Sequence, residues 1–314
     1  MNGTFDFRNP YEWRGMVENG GFAPMMLEAA VSCEFEGKEY GRAIPESLSE
    51  QLEAVEAAYA QGAVICRVMA RNPDSLSKLS TDPEVISELN AEIRRRCPDM
   101  LINNCINGGL EVTKGYNMAC LGADCLPDMA GLRLGIAMYG AAKPARSEEF
   151  TDAHGEYAVD ANLITSYDCI DGTVAALNAK GIKPVLEIYQ PGQYMVVNGL
   201  LRKGLIKPPY TAELLFGFQA MNAAHPAKLL DMLRELPKGA VFFSGAKGLY
   251  ALPMSMMSIL CGGHVRVGIG DSREYVRGVE AESTAQLVAR IKALAEEMGR
   301  EIATPRQARE LLDL

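Results

Sequence analysis

The stretch GAVICRVMARNPD, residues 62–74, opens as a buried strand and then departs from that pattern. Ala63 to Ile65 form a short β-branched run of the kind that packs on both faces, yet Arg67 and Met69 follow within it. Side chains alternate along a strand, so Arg67 and Met69 share a face and Cys66 takes the opposite one. An arginine facing the interior of a sheet needs a partner, and the nature of the fold decides where that partner sits.

Working outward, short apolar runs recur through the chain: 24–31, 63–69, 100–106, 131–138, 182–189, 213–219, 240–245 and 264–270. Helical patterns lie between them. Residues 48–61 carry Leu52, Val55, Ala58 and Tyr59 on one face and stop at Gly62. Another helix runs from Ala285 to Met298 and stops at Gly299, and Thr304-Pro305-Arg306-Gln307 has the spacing of a capping box with proline in the first turn. Eight strand–helix alternations in 314 residues predict an α/β fold of the (β/α)₈ TIM-barrel type, a single domain over residues 22–314 preceded by an N-terminal extension, residues 1–21. No GxGxxG turn follows the first strand, so nothing supports dinucleotide binding. The polar stretch 140–158 reads as a long loop after strand four.

A formal charge of −9 argues against nucleic-acid and anionic-membrane partners. Triplet Arg94-Arg95-Arg96 reads as a solvated helix end. Eight scattered cysteines without a CxxC pair, no leader-like N-terminus and no long apolar run read as reduced thiols in a soluble, cytoplasmic protein. The three histidines, His154, His225 and His264, form no HxH or HExxH pair and offer no imidazole metal site. His225 reads as a loop residue, and His264 lies near the barrel floor.

In a barrel, polar residues at the C-terminal ends of strands serve chemistry more often than stability. That rule collects Glu28, Arg67, Asn103, Asn104, Arg133, Glu187, Ser244, Lys247, Arg266 and Asp271. Glu28 and Glu187 are the natural partners of Arg67. A structural ion-pair layer is the alternative reading.

The segments GAVICRVMARNPD (62–74), LINNCINGG (101–109), PDMAGLRLG (127–135), GIKPVLEIY (181–189), LRKGLIKPPY (201–210), CGGHVRVGIGDSREYVRG (261–278) and GREIATPRQAREL (299–311) resemble, in order and spacing, the β-keto acid cleavage enzyme family, which includes 3-keto-5-aminohexanoate cleavage enzyme. The resemblance covers residues 22–314. It implies a barrel, usually a homo-oligomer, that exchanges acyl groups between a β-keto acid and acetyl-CoA and uses zinc to polarise the keto group. The family's zinc ligands, an HxH on strand two and a glutamate after strand eight, fall here on Arg67, Met69 and Gly270. All three ligands are missing.

Arg266 and Asp271 match the family's catalytic arginine and acid, and Glu187 matches a family glutamate. The serine-threonine pair of strand three appears as Ile106-Asn107, and a polar position of strand four as Ile136. The expected catalytic set is therefore Arg67, Arg266, Asp271, Glu28 and Glu187. Asn104, Asn107, Gly108, Met69, Arg133, Ser244 and Lys247 are expected to bind substrate. No metal or other cofactor is expected, acetyl-CoA or another CoA thioester is a candidate co-substrate, and the substrate is a small carboxylate or keto acid. Arg67 and Arg266 would hold a carboxylate or enolate in place of zinc. The family's own acyl exchange and a non-catalytic anion-binding barrel are the alternatives. A zinc site rebuilt from Cys66, Cys105 and Glu187 is disfavoured by the parity of Cys66 and by the neighbouring guanidinium.

Overall fold

In a computed structural model that describes residues 9–219 and 221–314, the eight expected strands close into one parallel barrel. They are β1 (Leu27–Ala30), β2 (Ile65–Val68), β3 (Leu101–Cys105), β4 (Met129–Arg133), β5 (Lys183–Ile188), β6 (Tyr210–Phe216), β7 (Ala240–Ala246) and β8 (His264–Val267). Each strand pairs with its sequence neighbours, and β8 pairs with β1 to close the ring. The helices are α1 (Pro10–Glu18), α2 (Leu48–Ala60), α3 (Pro83–Arg96), α4 (Tyr167–Ala179), α5 (Tyr194–Arg202), α6 (Pro226–Glu235), α7 (Ala251–Leu260), α8 (Thr284–Glu297) and α9 (Pro305–Leu312).

The sequence signals act locally as expected at the caps. Ser47 and Glu50 make a reciprocal capping box on α2, and Gly62 ends that turn at φ +99°, where a side chain would be strained. Thr304 and Gln307 do the same for α9. His225 is the N-cap of α6, its Nδ1 accepting the amide of Ala227 at 3.1 Å.

Alternation then sorts the strand residues. Met26, Ile65, Leu101, Met129, Val185 and Phe243 pack as an apolar floor, and α9 seals it from below with Ala308 and Leu312. Residues of opposite parity pack against the helices. His264 lies at this floor, accepting the amide of Met26 through Nδ1, and burial holds its pKa well below the ordinary imidazole value.

Four features differ from expectation. The fourth and sixth strands begin at Met129 and Tyr210 rather than at 131 and 213, because Tyr210 and Thr211 are good strand formers beyond a proline. The stretch 140–158 is not a loop throughout: Ala137–Lys143 and Tyr157–Leu163 pair antiparallel as an arm. Its small residues Gly140, Ala141 and Ala142 carry little strand signal, so cross-strand pairing decides. Strand four ends at Arg133, leaving Ile136 beyond the barrel and exposed. The β3–β4 connection holds a 3₁₀ helix, Met118–Gly122, in place of an α-helix. In the N-terminal segment, α1 rests on the barrel through Trp13, whose Nε1 donates to the Leu260 carbonyl at 2.9 Å; residues 1–8 lie outside the described residues. All eight cysteines are free. No helix among the described residues is long and apolar enough to cross a membrane.

Candidate active site

Register puts the inward charges at one height. Glu28 lies opposite Arg266, Arg67 opposite Asn103, Arg133 opposite Glu187, and Glu213 opposite Glu187. Arg67, Arg133, Arg266, Asp271, Glu28, Glu187 and Glu213 are all buried. Such a cluster holds together only if every charge is paired and hydrogen-bonded.

The pairing is dense. Arg67 Nη2 lies 2.9 Å from Glu187 Oε1 and donates to Cys105 Sγ at 2.7 Å. Arg266 makes a two-pronged contact with Asp271, at 2.8 and 2.7 Å, and also donates to Glu213. Glu187 Oε2 accepts from Asn107 Nδ2 at 2.6 Å and from the Tyr189 hydroxyl at 2.9 Å. Glu28 Oε1 accepts from Asn103 Nδ2 at 2.6 Å, whereas its Oε2 has no hydrogen-bond partner.

The two buried glutamates respond oppositely. Burial pushes Glu187 up, but Arg67 and Arg266, together with the Arg67 and Asn107 hydrogen bonds, outweigh it and hold the carboxyl at about 2. Burial and the nearby Glu213 charge raise Glu28 well above the usual carboxylate range, against the pull of Arg266 and Asn103. An acid held ionised and an acid whose protonated form is favoured therefore share one buried cluster.

A fifth carboxylate enters from a loop. Glu34, on the β1–α2 loop, reaches down so that its side chain is only 8% exposed. Its Oε1 accepts from Asn107 Nδ2 at 2.8 Å and lies 3.7 Å from Arg67 Nη2, while Oε2 lies 3.3 Å from Arg133 Nη1.

Glu34, Cys105 and Glu187 bring one ligand atom each within 4.8 Å of one another, a spacing that could suit a metal ion. They do not fit zinc as arranged here. Arg67 Nη2 contacts all three, so a fixed cation already stands among them. Burial, with Glu187 and Glu34 beside it, also raises the Cys105 thiol well above its ordinary value despite Arg67. Cys66 points away, its thiol donating to the Leu101 carbonyl. Gly270 is closed to any side chain as well: a Cβ there would collide with the Ser32 carbonyl.

The expected substrate-binding residues divide. Asn107, Arg133 and Met69 face the mouth; Met69 packs with Leu79 and Cys105. Lys247 stands at the rim, 2.8 Å from Glu36. Asn104 does not belong to the mouth: it faces α3 and makes a reciprocal amide pair with Asn90 at 2.9 and 3.0 Å. Ser244 alternates with the inward Phe243 and lies between Leu214 and Val265, on the helix side. Gly108 serves the turn, at φ +76°. Glu34, Glu213, Tyr189 and Cys105 join the cluster, the first three without having been singled out and Cys105 having been weighed only as a disfavoured zinc ligand. Parity with Arg67 and Glu187 was the available signal for the last three, and Glu34 offered none.

This geometry can be set beside known proteins. The profile described as beta-keto acid cleavage enzyme matches residues 24–314. The chain belongs to that family. It is 29% identical over 290 residues to a 3-keto-5-aminohexanoate cleavage enzyme of Fusobacterium nucleatum, covering 92% of this chain and 98% of the relative. A 3-oxoadipate:acetyl-CoA acetyltransferase of Cupriavidus necator is 27% identical, with 93% and 95% covered. Among solved structures, apo ObcA superposes with a TM-score of 0.68 at 13% identity, over 87% of this chain and 66% of that one, a likeness of fold.

Proposed function

We propose that this barrel is a metal-independent enzyme acting on a small β-keto carboxylate through enolate chemistry, with Arg67 supplying the positive charge that a metal would bring. The carrying observation is the position of Arg67 Nη2 among Glu34, Cys105 and Glu187. A guanidinium delivers charge and directed hydrogen bonds to a developing oxyanion in a water-poor interior. Arg266, locked by Asp271 and Glu213, provides the second anion-holding group. Glu28 is the proton carrier, since its Oε2 accepts from no donor and burial beside Glu213 favours its protonated form. Asp271 has both oxygens on Arg266 and acts by holding that guanidinium in place.

Acyl exchange with acetyl-CoA is the second reading, supported by Glu28, Arg266 and Asp271 standing together and by the acetyltransferase relative. In it a β-keto acid R–CO–CH₂–COO⁻ and acetyl-CoA give acetoacetate and R–CO–SCoA.

The test is turnover of a β-keto acid panel, including 3-oxoadipate and 3-keto-5-aminohexanoate, with and without acetyl-CoA, in enzyme treated with a strong chelator. Activity that survives chelation and is lost in Arg67→Met supports the first reading. Activity that chelation abolishes and zinc restores overturns it.

A further inference from the structure

Arg133 is a buried cation with one ion pair among the described residues, the one to Glu34. Its Nε has no hydrogen-bond partner. Asn107 Nδ2 divides its donors between Glu187, part of the barrel wall, and Glu34, which is not. Arg67 Nη2 completes the cradle on the third side. A carboxylate borne on a loop thus sits in a three-sided pocket of two guanidiniums and an amide.

We infer that this cradle is the subsite for a substrate carboxylate, and that Glu34 is its internal occupant, displaced when an anionic substrate enters. The inference rests on the enzymatic reading above and adds how the site is guarded: the carboxylate of the substrate must take the place of Glu34. Arg67, Asn107 and Glu187 are all buried beneath Glu34, so a ligand reaches them only when the loop gives way. If Glu34 leaves alone, Arg133 is stranded as an unpaired buried charge, which is costly. A neutral ligand leaves that charge stranded, whereas a carboxylate restores it. The exchange of one carboxylate for another makes opening nearly balanced for anionic substrates and unfavourable for the rest.

The loop is fastened by contacts that can be remade. The Arg71 guanidinium donates to the carbonyls of Cys33 and Glu36 at 2.8 and 3.0 Å, and Phe35 stacks on Tyr139 of the arm at 4.1 Å between ring centroids. Gly109 admits the loop, because a Cβ there would meet the Glu34 carbonyl at 2.9 Å.

The experiment is calorimetric titration of wild type and Glu34→Gln with acetoacetate, and with methyl acetoacetate as the probe without a carboxylate. If the internal carboxylate leaves about one chain in ten competent, its removal tightens acetoacetate binding about tenfold. The methyl ester gains nothing. Equal or weaker acetoacetate binding by Glu34→Gln, or no binding by either protein, overturns the inference. Should the variant fail to fold, hydrogen exchange of wild-type residues 33–37 decides: saturating acetoacetate speeds it if Glu34 is displaced, and unchanged or slower exchange overturns the inference. Loss of turnover on chelation alongside tightened binding removes the metal-free reading and leaves this one standing. Metal-free turnover with unchanged binding does the reverse.

Discussion

Arg67 and Glu187 meet at 2.9 Å with almost no access to water, so neither can be removed without exposing the other's charge to a low-dielectric interior. Arg67→Met fills similar space but leaves Glu187 short of its main counter-charge. Urea unfolding is expected to show a loss of about 3–5 kcal/mol, together with loss of turnover. A variant as stable as the wild type means that the cluster tolerates a lone carboxylate there. The two glutamates also give the stability curve opposite slopes. Glu187, held at about 2 against an ordinary 4.5, contributes stability that is full above the unfolded value and is lost as pH falls through about 2. Glu28, raised well above 4.5, contributes stability that is full below the unfolded value and is lost as pH rises toward the folded one. Glu28→Gln keeps an acceptor for Asn103 and cannot ionise, so it is expected to match wild type at pH 4 and exceed it by at least about 1 kcal/mol at pH 8 while losing turnover. Urea midpoints at the two pH values check this, and a variant weaker at pH 8 contradicts the assignment.

At the level of strands and turns, parity separates working residues from packing residues. Asn104 and Asn90 tie β3 to α3 by two amide hydrogen bonds, so Asn104→Ala leaves the buried Asn90 Oδ1 without its donor while Nδ2 keeps the Cys125 carbonyl. A stability loss of about 1–3 kcal/mol with unchanged kcat is expected, and a fall in kcat at full folding would put Asn104 back in the site. After β8, the chain turns so closely over the end of β1 that the Gly270 amide donates to the Ala30 carbonyl at 3.0 Å. Gly270→Glu is therefore expected to destabilise by at least about 1–3 kcal/mol without creating zinc binding, as thermal unfolding and elemental analysis will show. These cases also explain what the sequence made legible. Arg67, Glu187 and Arg266 stand out because a charge inside an apolar run has one economical explanation, an inward position in the barrel. Asn104 and Ser244 lie on equally good strands, and only the alternation, applied one residue at a time, sends them outward. Glu213 was hidden because the apolar run suggested that its strand began there, whereas the strand begins at Tyr210 and puts the glutamate at mid-length. Glu34 sits in a loop with no period, and what brings it to Arg133 is the folding of the whole chain.

Across the molecule, the loop that carries Glu34 is tied to the arm by a second ionic cluster, remote from the first. Arg146, fully buried just beyond the arm's first strand, binds Glu39 at 2.8 Å and Glu46 at 2.9 and 2.6 Å, all from the β1–α2 connection. Lys143 adds a contact to Glu39 at 3.2 Å, and the Arg146 Nε donates to the Thr151 carbonyl at 2.6 Å. The arm and the loop thereby form one lid assembly, while the apolar floor that α9 seals shares no residue with either. Arg146→Met leaves two buried glutamates without their shared guanidinium, Glu39 keeping its ion pair with Lys143. Its expected effect is local: faster hydrogen exchange over residues 38–46 and 143–152, with little change at β3 and β5, whose amides report global unfolding. The overall loss is about 3–5 kcal/mol if the lid is coupled to the barrel and much less if it opens alone. Because an unfastened lid releases Glu34 more readily, acetoacetate should bind this variant at least as tightly as the wild type despite the lower stability. Weaker binding, with exchange accelerated uniformly through the barrel, would mean that the arm supports the fold as a whole and does not govern access to the arginine cradle.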